Sequence, residues 1–140
     1  SSKASKLLDL GADKTIERNT DPVHELGPNS VDVVIDLVAG RTWPNLLDVL
    51  KPHGRYGVAG AIAGPLVELD VRTLYLKDLS LYGCTVLDEC VFPELIKRIE
   101  RGDVLPLVEK TFSLLQIAEA QKQFELKQHI GKFVIDLANI

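Results

Sequence analysis

The feature that most constrains the fold is a nearly uninterrupted run of β-branched and other apolar residues, VDVVIDLV, at residues 31–38. A strand that alternates polar and apolar residues can leave one face in water, whereas a continuous apolar run predicts a strand buried on both faces. Such strands are typical of parallel sheets, and two parallel neighbours need a crossover connection, usually a helix. The run therefore predicts an α/β fold built on a parallel sheet.

The segments on either side of this run supply the expected alternation of helices and strands. Gly11 stands where a left-handed helix cap belongs, and Pro52 with Gly54 can stop the crossover helix. In chain order, the predicted elements are a helix in KASKLLDLG, a strand in KTIE, the strand VDVVIDLV, a helix in RTWPNLLDVLKPHG, and strands in RYGVAGA and LSLYGCTV. The pattern up to residue 86 predicts a doubly wound sheet.

The pattern changes from Val91 onwards. An apolar stripe that includes Phe92 and Ile99 predicts a helix that ends near Gly102, and VEKTFSL and GKFVIDL predict two strands. Between these strands, SLLQ at residues 113–116 is a capping-box pattern that predicts the start of another helix. Residues 87–140 are therefore predicted to form a C-terminal α+β tail.

Four glycines fall within HGRYGVAGAIAG, residues 53–64, and raise the question whether they bind a phosphate group. A dinucleotide-binding fingerprint has the form G-x-G-x-x-G and connects a strand to the helix after it. Here the glycines stand at 54, 57, 60 and 64, which never gives G-x-G. We interpret the segment as a strand whose carboxyl end either lets a flat ligand approach the backbone or accommodates a neighbouring helix.

The composition excludes several classes of partner. A net charge of −4 without a basic stripe disfavours nucleic acid, and no apolar run reaches the ~18 residues of a membrane span. Two cysteines, Cys84 and Cys90, are too few for a disulfide framework and predict a cytoplasmic protein. Their spacing relative to the three histidines matches no metal site. Because the sequence has no methionine, we expect a chain trimmed from a longer one.

Five segments, in order and spacing, resemble the cofactor-binding half and C-terminal tail of the medium-chain dehydrogenase/reductase family. The chain is most similar to the quinone oxidoreductase and zinc-type alcohol dehydrogenase branches. The segments are LLDLGAD, VDVVIDLVAG, LLDVLKPHGRYGVAGA, LYLKDLSLYGCTV and HIGKFVI. The resemblance implies an NAD(P)H-dependent oxidoreductase that moves a hydride between nicotinamide and a carbonyl, alcohol, enone or quinone.

The resemblance also implies that parts of the family's machinery precede this chain. The first strand, the glycine-rich loop and the zinc ligands all stand upstream of Ser1 in the family. Residues 1–86 are then a partial NAD(P)-binding domain, an incomplete Rossmann-like sheet, and residues 87–140 a tail that packs on an absent catalytic domain. We accordingly expect no catalytic or metal-ligating residue in this chain, and no activity from the chain alone.

Two lysines match family positions that contact the cofactor's phosphates. Lys3 matches the position where a basic residue often meets the adenosine 2′-phosphate, so NADP is slightly favoured over NAD. Lys132, after Gly131, matches a basic position that reaches the pyrophosphate in some members. The alternative for each is an ordinary solvated surface lysine.

Five further residues match positions near the nicotinamide end of the cofactor. In the family, the positions of Val38 and of Ala59, Gly60 and Ala61 lie along the nicotinamide ribose and offer backbone groups to the carboxamide. Tyr82 falls where the next strand ends near the ring, although a half-buried packing role is the alternative.

Two hypotheses from other classes are kept beside this one. Asp36 ends a strand as the phospho-acceptor of a receiver domain does, but GVAGA lacks the hydroxyl and lysine that receivers need. The broader alternative is a non-catalytic, flavodoxin-like regulatory or interaction domain. The family resemblance further implies a homodimer that pairs the edge strand LSLYGCTV with its copy, besides a small-molecule substrate.

Overall fold

The computed structural model of the chain describes residues 3–138. The chain divides into two compact units, the first ending at Leu87 and the second beginning at Asp88. This division lies one residue from the boundary expected from the sequence, while the roles assigned to the two parts stay predictions.

The first unit contains a three-stranded sheet with the order β1-β2-β3. Its elements are α1 (Ala4–Asp9), α2 (Pro22–Leu26), β1 (Val31–Asp36), a 3-10 turn (Gly40–Thr42), α3 (Trp43–Asp48), β2 (Leu50–Val58), α4 (Val71–Leu76) and β3 (Ser80–Gly83). Both strand pairs are parallel, with Gly57 of β2 opposite Ile35 of β1 and Tyr82 of β3. The predicted α/β class with a parallel sheet is confirmed.

Local chemistry fixes the ends of several helices. After α1, Gly11 adopts a φ of +103°, and its amide donates to the Leu8 carbonyl at 2.9 Å, as predicted for a helix cap. The Asp70 carboxylate accepts from the Arg72 amide at 2.9 Å and so caps the start of α4. At the end of α3, the Lys77 ammonium donates to the carbonyl of Leu47 at 2.8 Å, where it also complements the helix dipole.

Two predicted elements differ from the structure. The strand predicted in KTIE does not form, because a strand needs a neighbouring backbone and none of the three strands in the first unit pairs with residues 14–17. Lys14 of this segment instead forms an ion pair with Glu25 at 3.1 Å. The crossover helix is shorter than predicted, because β2 already begins at Leu50 and passes through Pro52.

The core of the first unit lies on one face of the sheet only. It comprises Ala39, Trp43, Leu47, Leu50, Tyr56 and Leu79, with Val31, Val34, Leu46, Val58 and Leu74 packed against them. On the opposite face, Ile35 is 70% exposed and Val33 is 43% exposed. In the part of the chain that the structure describes, the prediction that β1 is buried on both faces is therefore wrong, since Ile35 and Val33 are exposed.

The second unit consists of two helices and one parallel pair of strands. Its elements are α5 (Val91–Glu100), β4 (Val108–Ser113), a 3-10 turn (Leu114–Gln116), α6 (Ile117–Glu125) and β5 (Lys132–Asp136). The predicted capping box forms, because the Gln116 side chain accepts from the Ser113 amide at 3.0 Å. Across residues 3–138, the helices are all too short or too polar to cross a bilayer.

Candidate functional site

The loops that follow β1 and β2 meet at the carboxyl edge of the sheet. The Asp36 carbonyl, at the end of β1, accepts a hydrogen bond from the Ala59 amide, just after β2, at 2.9 Å. The Val38 carbonyl accepts another from the Ala63 amide at 2.9 Å. Ligands of open parallel α/β sheets bind outside this edge, so the paired loops are the expected location of a ligand-binding site.

Glycines let the two loops approach each other this closely. A Cβ atom placed on Gly60 would lie 2.7 Å from the Leu37 carbonyl oxygen, which is too close for any side chain. Gly40 has a φ of +76°, and a Cβ there would lie 2.9 Å from the Cβ of Ala63. Gly60 thus lets the loop after β2 pack against the backbone of the loop after β1, where one interpretation of the sequence expected a neighbouring helix. The approach of a flat ligand to this segment stays a prediction.

A buried carboxylate organises the loop after β1. The Asp36 side chain, only 5% exposed, accepts from the Val38 amide at 2.7 Å and from the Ala39 amide at 3.1 Å. Burial raises the pKa of the Asp36 carboxyl, but hydrogen bonds from Tyr56 and these two amides outweigh it, so the pKa lies below its ordinary value. Asp36 is therefore an anion at neutral pH, and its burial leaves it inaccessible to phosphorylation.

Two aromatic side chains extend the network inward. The Tyr56 hydroxyl donates to the Asp36 carboxylate at 2.6 Å and accepts from the Trp43 indole N–H at 2.7 Å. The two rings meet edge to face, 5.6 Å between centroids. Burial, together with the hydrogen bond to Asp36, raises the pKa of the Tyr56 phenol far above its usual value. The hydroxyl therefore stays protonated and keeps its direction of donation.

A cavity of about 280 Å³, which we call the edge cavity, opens beside this network. Its walls come from α3, from the ends of β2 and β3, and from the loops after β1 and β2. They are formed by Ala39, Trp43, Tyr56, Val58, Ala61, Pro65, Val67, Leu81, Tyr82 and Gly83. The lining has no lysine, arginine, glutamate, aspartate or histidine, so the edge cavity suits an uncharged, largely apolar group.

The structure brings together five of the residues assigned to the cofactor from sequence. Ala61 and Tyr82 line the edge cavity. Val38, Ala59 and Gly60 lie in the paired loops at the same carboxyl edge.

The backbone groups of these residues are not equally free to bind a ligand. The Val38 amide donates to Asp36 and its carbonyl accepts from Ala63, while the Ala59 amide is also engaged. Within residues 3–138, the amides of Gly60 and Ala61 donate no hydrogen bond. The donors left for a ligand are therefore those of Gly60 and Ala61.

Neither of the two predicted lysines is among the residues that line the edge cavity. Lys3 occupies the residue before α1, where its carbonyl accepts from the Leu7 amide at 3.0 Å. Lys132 begins β5 in the second unit, and its amide donates to the Leu107 carbonyl at 2.8 Å. A Cβ on Gly131 would lie 2.6 Å from the same carbonyl oxygen, so this glycine permits the pairing of β5.

A larger cavity of about 510 Å³ lies in the second unit, between α6, β4 and β5. Its lining mixes both signs of charge and contains no residue assigned to the cofactor. The lining residues are Glu109, Lys110, Glu119, Gln123, Leu126, Gln128, His129 and Phe133. In the part of the chain that the structure describes, no three His, Cys, Asp or Glu side chains are grouped to hold a metal ion. The edge cavity is therefore the candidate site.

Sequence reasoning missed the network beneath the edge cavity. From sequence, the pattern around Asp36 suggests only a phospho-acceptor, and no pattern assigns a role to Tyr56 or Trp43. A usable signal was present, because an aspartate that ends an apolar strand before small residues can accept from the amides of the turn after it. The tyrosine and tryptophan become recognisable only once β2 and α3 are placed.

Comparisons with known proteins match nearly the whole chain. A family model described as zinc-binding dehydrogenase matches residues 10–135. The 2-haloacrylate reductase of Burkholderia sp is 31% identical over 152 residues, which covers 95% of this chain and 44% of that protein. The mitochondrial NAD(P)H oxidoreductase RTN4IP1 of Danio rerio is 26% identical over 159 residues, with 98% and 41% covered.

A solved structure gives the same result. A putative alcohol dehydrogenase from Sinorhizobium meliloti 1021 has a TM-score of 0.80 at 39% identity, over 96% of this chain and 39% of that one. The chain thus spans 39–44% of the length of these relatives. With residues 10–135 matched by the family model, the chain belongs to the zinc-binding dehydrogenases of the medium-chain dehydrogenase/reductase family.

Proposed function

We propose that this chain forms part of the nicotinamide cleft of an NAD(P)-dependent oxidoreductase. The intact enzyme moves a hydride between the nicotinamide and a carbonyl, alcohol, enone or quinone group. The chain contributes the carboxyl edge of β1, β2 and β3, and the remaining cofactor-binding and catalytic residues lie outside it. The proposal is carried by the convergence of Val38, Ala59, Gly60, Ala61 and Tyr82 on that edge.

The chemistry of the edge fits a nicotinamide ring. The reduced dihydronicotinamide ring is uncharged and weakly polar, which suits the apolar lining of the edge cavity, and its carboxamide needs hydrogen-bond partners. The amides of Gly60 and Ala61 are available as donors to the carboxamide oxygen. When bound, the cofactor supplies or accepts the hydride, while this chain's residues orient the ring and exclude water.

Zinc has no assigned role in this proposal. The family description names zinc, but residues 3–138 hold no group of ligands for it. Zinc in structural and catalytic sites takes Cys, His or carboxylate ligands in clusters, and neither Cys84 nor Cys90 belongs to one here. No step of the reaction is therefore routed through a metal bound by this chain.

The choice between NADP and NAD rests on Lys3, and the pyrophosphate contact on Lys132. A lysine is a suitable point charge for a phosphate group. We propose NADP as the preferred cofactor and expect Lys3→Ala to weaken NADPH binding more than NADH binding. Equal effects on the two cofactors would show that Lys3 does not contact the 2′-phosphate.

The proposed function is tested on the complete polypeptide that contains this chain. Oxidation of NADPH and NADH is followed with an aldehyde, an enone and a quinone as acceptors. We expect Ala61→Phe, which fills the edge cavity, to raise the dissociation constant of the reduced cofactor at least about tenfold, or about 1.4 kcal/mol. Ile62→Phe places the same ring on the adjacent residue, which is 88% exposed, and should leave binding unchanged.

Two results would overturn the proposal. A complete polypeptide that binds neither reduced cofactor would favour the non-catalytic, flavodoxin-like alternative. If Ala61→Phe and Ile62→Phe bind the reduced cofactor as tightly as the unsubstituted protein, the cofactor does not occupy the edge cavity. We also expect the 140-residue chain alone to show no turnover, because it spans only 39–44% of the length of the relatives it matches.

We further propose that the intact protein is a cytoplasmic homodimer that pairs β3 with its copy. Supporting this, β3 stands at one end of the strand order, pairs with β2 alone in the described sheet, and is exposed along its length. An apolar edge strand of this kind is a template for pairing. Light scattering of the intact protein should give twice the monomer mass, and a monomeric mass would contradict the proposal.

A further inference from the structure

Asp36 is a buried charge that is balanced by hydrogen bonds instead of a cation. In the part of the chain that the structure describes, the carboxylate has no ion pair and accepts from the Val38 amide, the Ala39 amide and the Tyr56 hydroxyl, at 2.7, 3.1 and 2.6 Å. A buried carboxylate is costly unless its oxygens are satisfied, and bonds to an ionised acceptor are about twice as strong as neutral ones. These three donors are therefore held firmly in place.

The loop held by this carboxylate has an unfavourable backbone. Ala39 has a φ of +52° and a ψ of −139°, a conformation that residues with a side chain rarely adopt. Its amide is the group that donates to both oxygens of Asp36, each at 3.1 Å. Strain of this kind persists only where surrounding interactions fix it, and Asp36 supplies that interaction.

The same network reaches the wall of the edge cavity. Tyr56 and Trp43, linked to Asp36 through the tyrosine hydroxyl, both line the edge cavity, and so does Ala39. Both aromatic side chains are at least 95% buried. A change at the carboxylate would therefore alter the position of three lining residues, Ala39, Trp43 and Tyr56, although Asp36 itself does not line the cavity.

We propose that Asp36 is a positioning residue, whose carboxylate, with Tyr56 and Trp43, fixes the loop of residues 37–40 as a preformed wall of the nicotinamide site. The role of this wall in nicotinamide binding rests on the proposed function. The role of Asp36 in fixing the loop does not. Pre-organisation of this kind lowers the cost of ordering the site when the ligand binds.

The test compares Asp36→Asn with Asp32→Asn in the intact protein. Asp32 lies on the same strand but pairs at the surface with Lys51, at 2.9 Å, so its substitution makes the same charge change away from the loop. In Asp36→Asn one carboxylate oxygen becomes an NH2 group and the negative charge is lost. Either the Val38 and Ala39 amides or the Tyr56 hydroxyl then lose an acceptor, and the hydrogen bonds that remain are weaker.

Two quantities are measured: hydrogen exchange of backbone amides, and the dissociation constant of NADPH. We expect Asp36→Asn to speed exchange of the Val38 and Ala39 amides about tenfold more than exchange of the β2 amides. The dissociation constant should rise about fivefold or more, and Asp32→Asn should change neither quantity. A uniform acceleration of exchange would overturn the inference, because Asp36 would then only stabilise the fold.

A second variant keeps the inference testable if Asp36→Asn does not fold. Tyr56→Phe removes only the hydroxyl and leaves the carboxylate to hold the Val38 and Ala39 amides. It should raise the dissociation constant of NADPH by a smaller factor, about threefold. If the unsubstituted protein binds no nicotinamide cofactor, the proposed function fails, and amide exchange still decides whether Asp36 fixes the loop. If binding is normal in every variant, the positioning role is overturned while the proposed function stands.

Discussion

The close approach of Gly60 to the loop after β1 can be tested by adding a single methyl group. In Gly60→Ala the new Cβ would lie 2.7 Å from the Leu37 carbonyl oxygen and 3.3 Å from its carbonyl carbon and Cα. Because these are backbone atoms, the clash cannot be relieved by rotating a side chain. The two loops must separate instead, which strains the hydrogen bond from the Ala63 amide to Val38.

The magnitude follows from measured effects of overpacking. Forcing an extra methyl into a close-packed site typically costs about 1–3 kcal/mol, so Gly60→Ala should lower the free energy of unfolding by about that amount. Gly83→Ala is the matched control, since a Cβ on Gly83 meets no atom within 4 Å. Without strain, the loss of a glycine changes stability by at most about 1 kcal/mol, in the stabilising direction.

Urea unfolding of the intact protein, followed by circular dichroism, compares the two variants. The slope with denaturant concentration should stay the same while the midpoint for Gly60→Ala falls. If Gly60→Ala and Gly83→Ala agree within about 0.5 kcal/mol, the loops are not packed against each other as described.

Three further predictions concern stability. Leu47→Ala, at a fully buried position, should cost about 2–5 kcal/mol, whereas Leu115→Ala, at a position 81% exposed, should cost under about 0.5 kcal/mol by the same urea assay. Lys77→Met removes the ammonium that caps α3 and should lower the free energy of unfolding by about 1–2 kcal/mol. An unchanged free energy would show that water caps the helix equally well. The pKa of Asp36 is lower in the folded state than in the unfolded state, so the ionised carboxylate stabilises the fold fully above about pH 4. This contribution to the free energy of unfolding is lost as the pH falls through the folded-state pKa. Acid unfolding of Asp36→Asn, which lacks the carboxylate, should therefore depend less on pH.

The sequence was sufficient for the elements that are fixed by local chemistry. The apolar run at 31–38 forms a parallel strand, Gly11 adopts the left-handed conformation expected of a helix cap, and Ser113 with Gln116 forms the capping box. The helix cap and the capping box depend on residues a few positions apart, and the strand shows as a run of consecutive apolar residues, so a pattern in the sequence indicates each of them.

Features that depend on distant parts of the chain were not predictable in the same way. KTIE has the composition of a strand, but a strand forms only beside a partner, and residues 14–17 have none in the described sheet. Burial of β1 on two faces was expected from its apolar residues, yet Ile35 is 70% exposed because burial is set by the packing partner. The contact between Asp36 and Tyr56 joins residues on two strands, and only their parallel register reveals it.

The candidate site shows the same division. The family resemblance placed Val38, Ala59, Gly60, Ala61 and Tyr82 near one ligand, and the structure gathers these residues at one edge. The spacing of the residues does not reveal which backbone groups are already hydrogen-bonded, because the bonds from Ala59 to the Asp36 carbonyl and from Ala63 to the Val38 carbonyl join two separate loops.

A crystal structure of the intact protein with bound NADPH tests the central claim most directly. We predict a nicotinamide ring at the carboxyl edge of β1, β2 and β3, with its carboxamide bonded to the amides of Gly60 or Ala61. A cofactor bound with its nicotinamide away from that edge, and with no contact to residues 38, 59–61 or 82, would contradict the account.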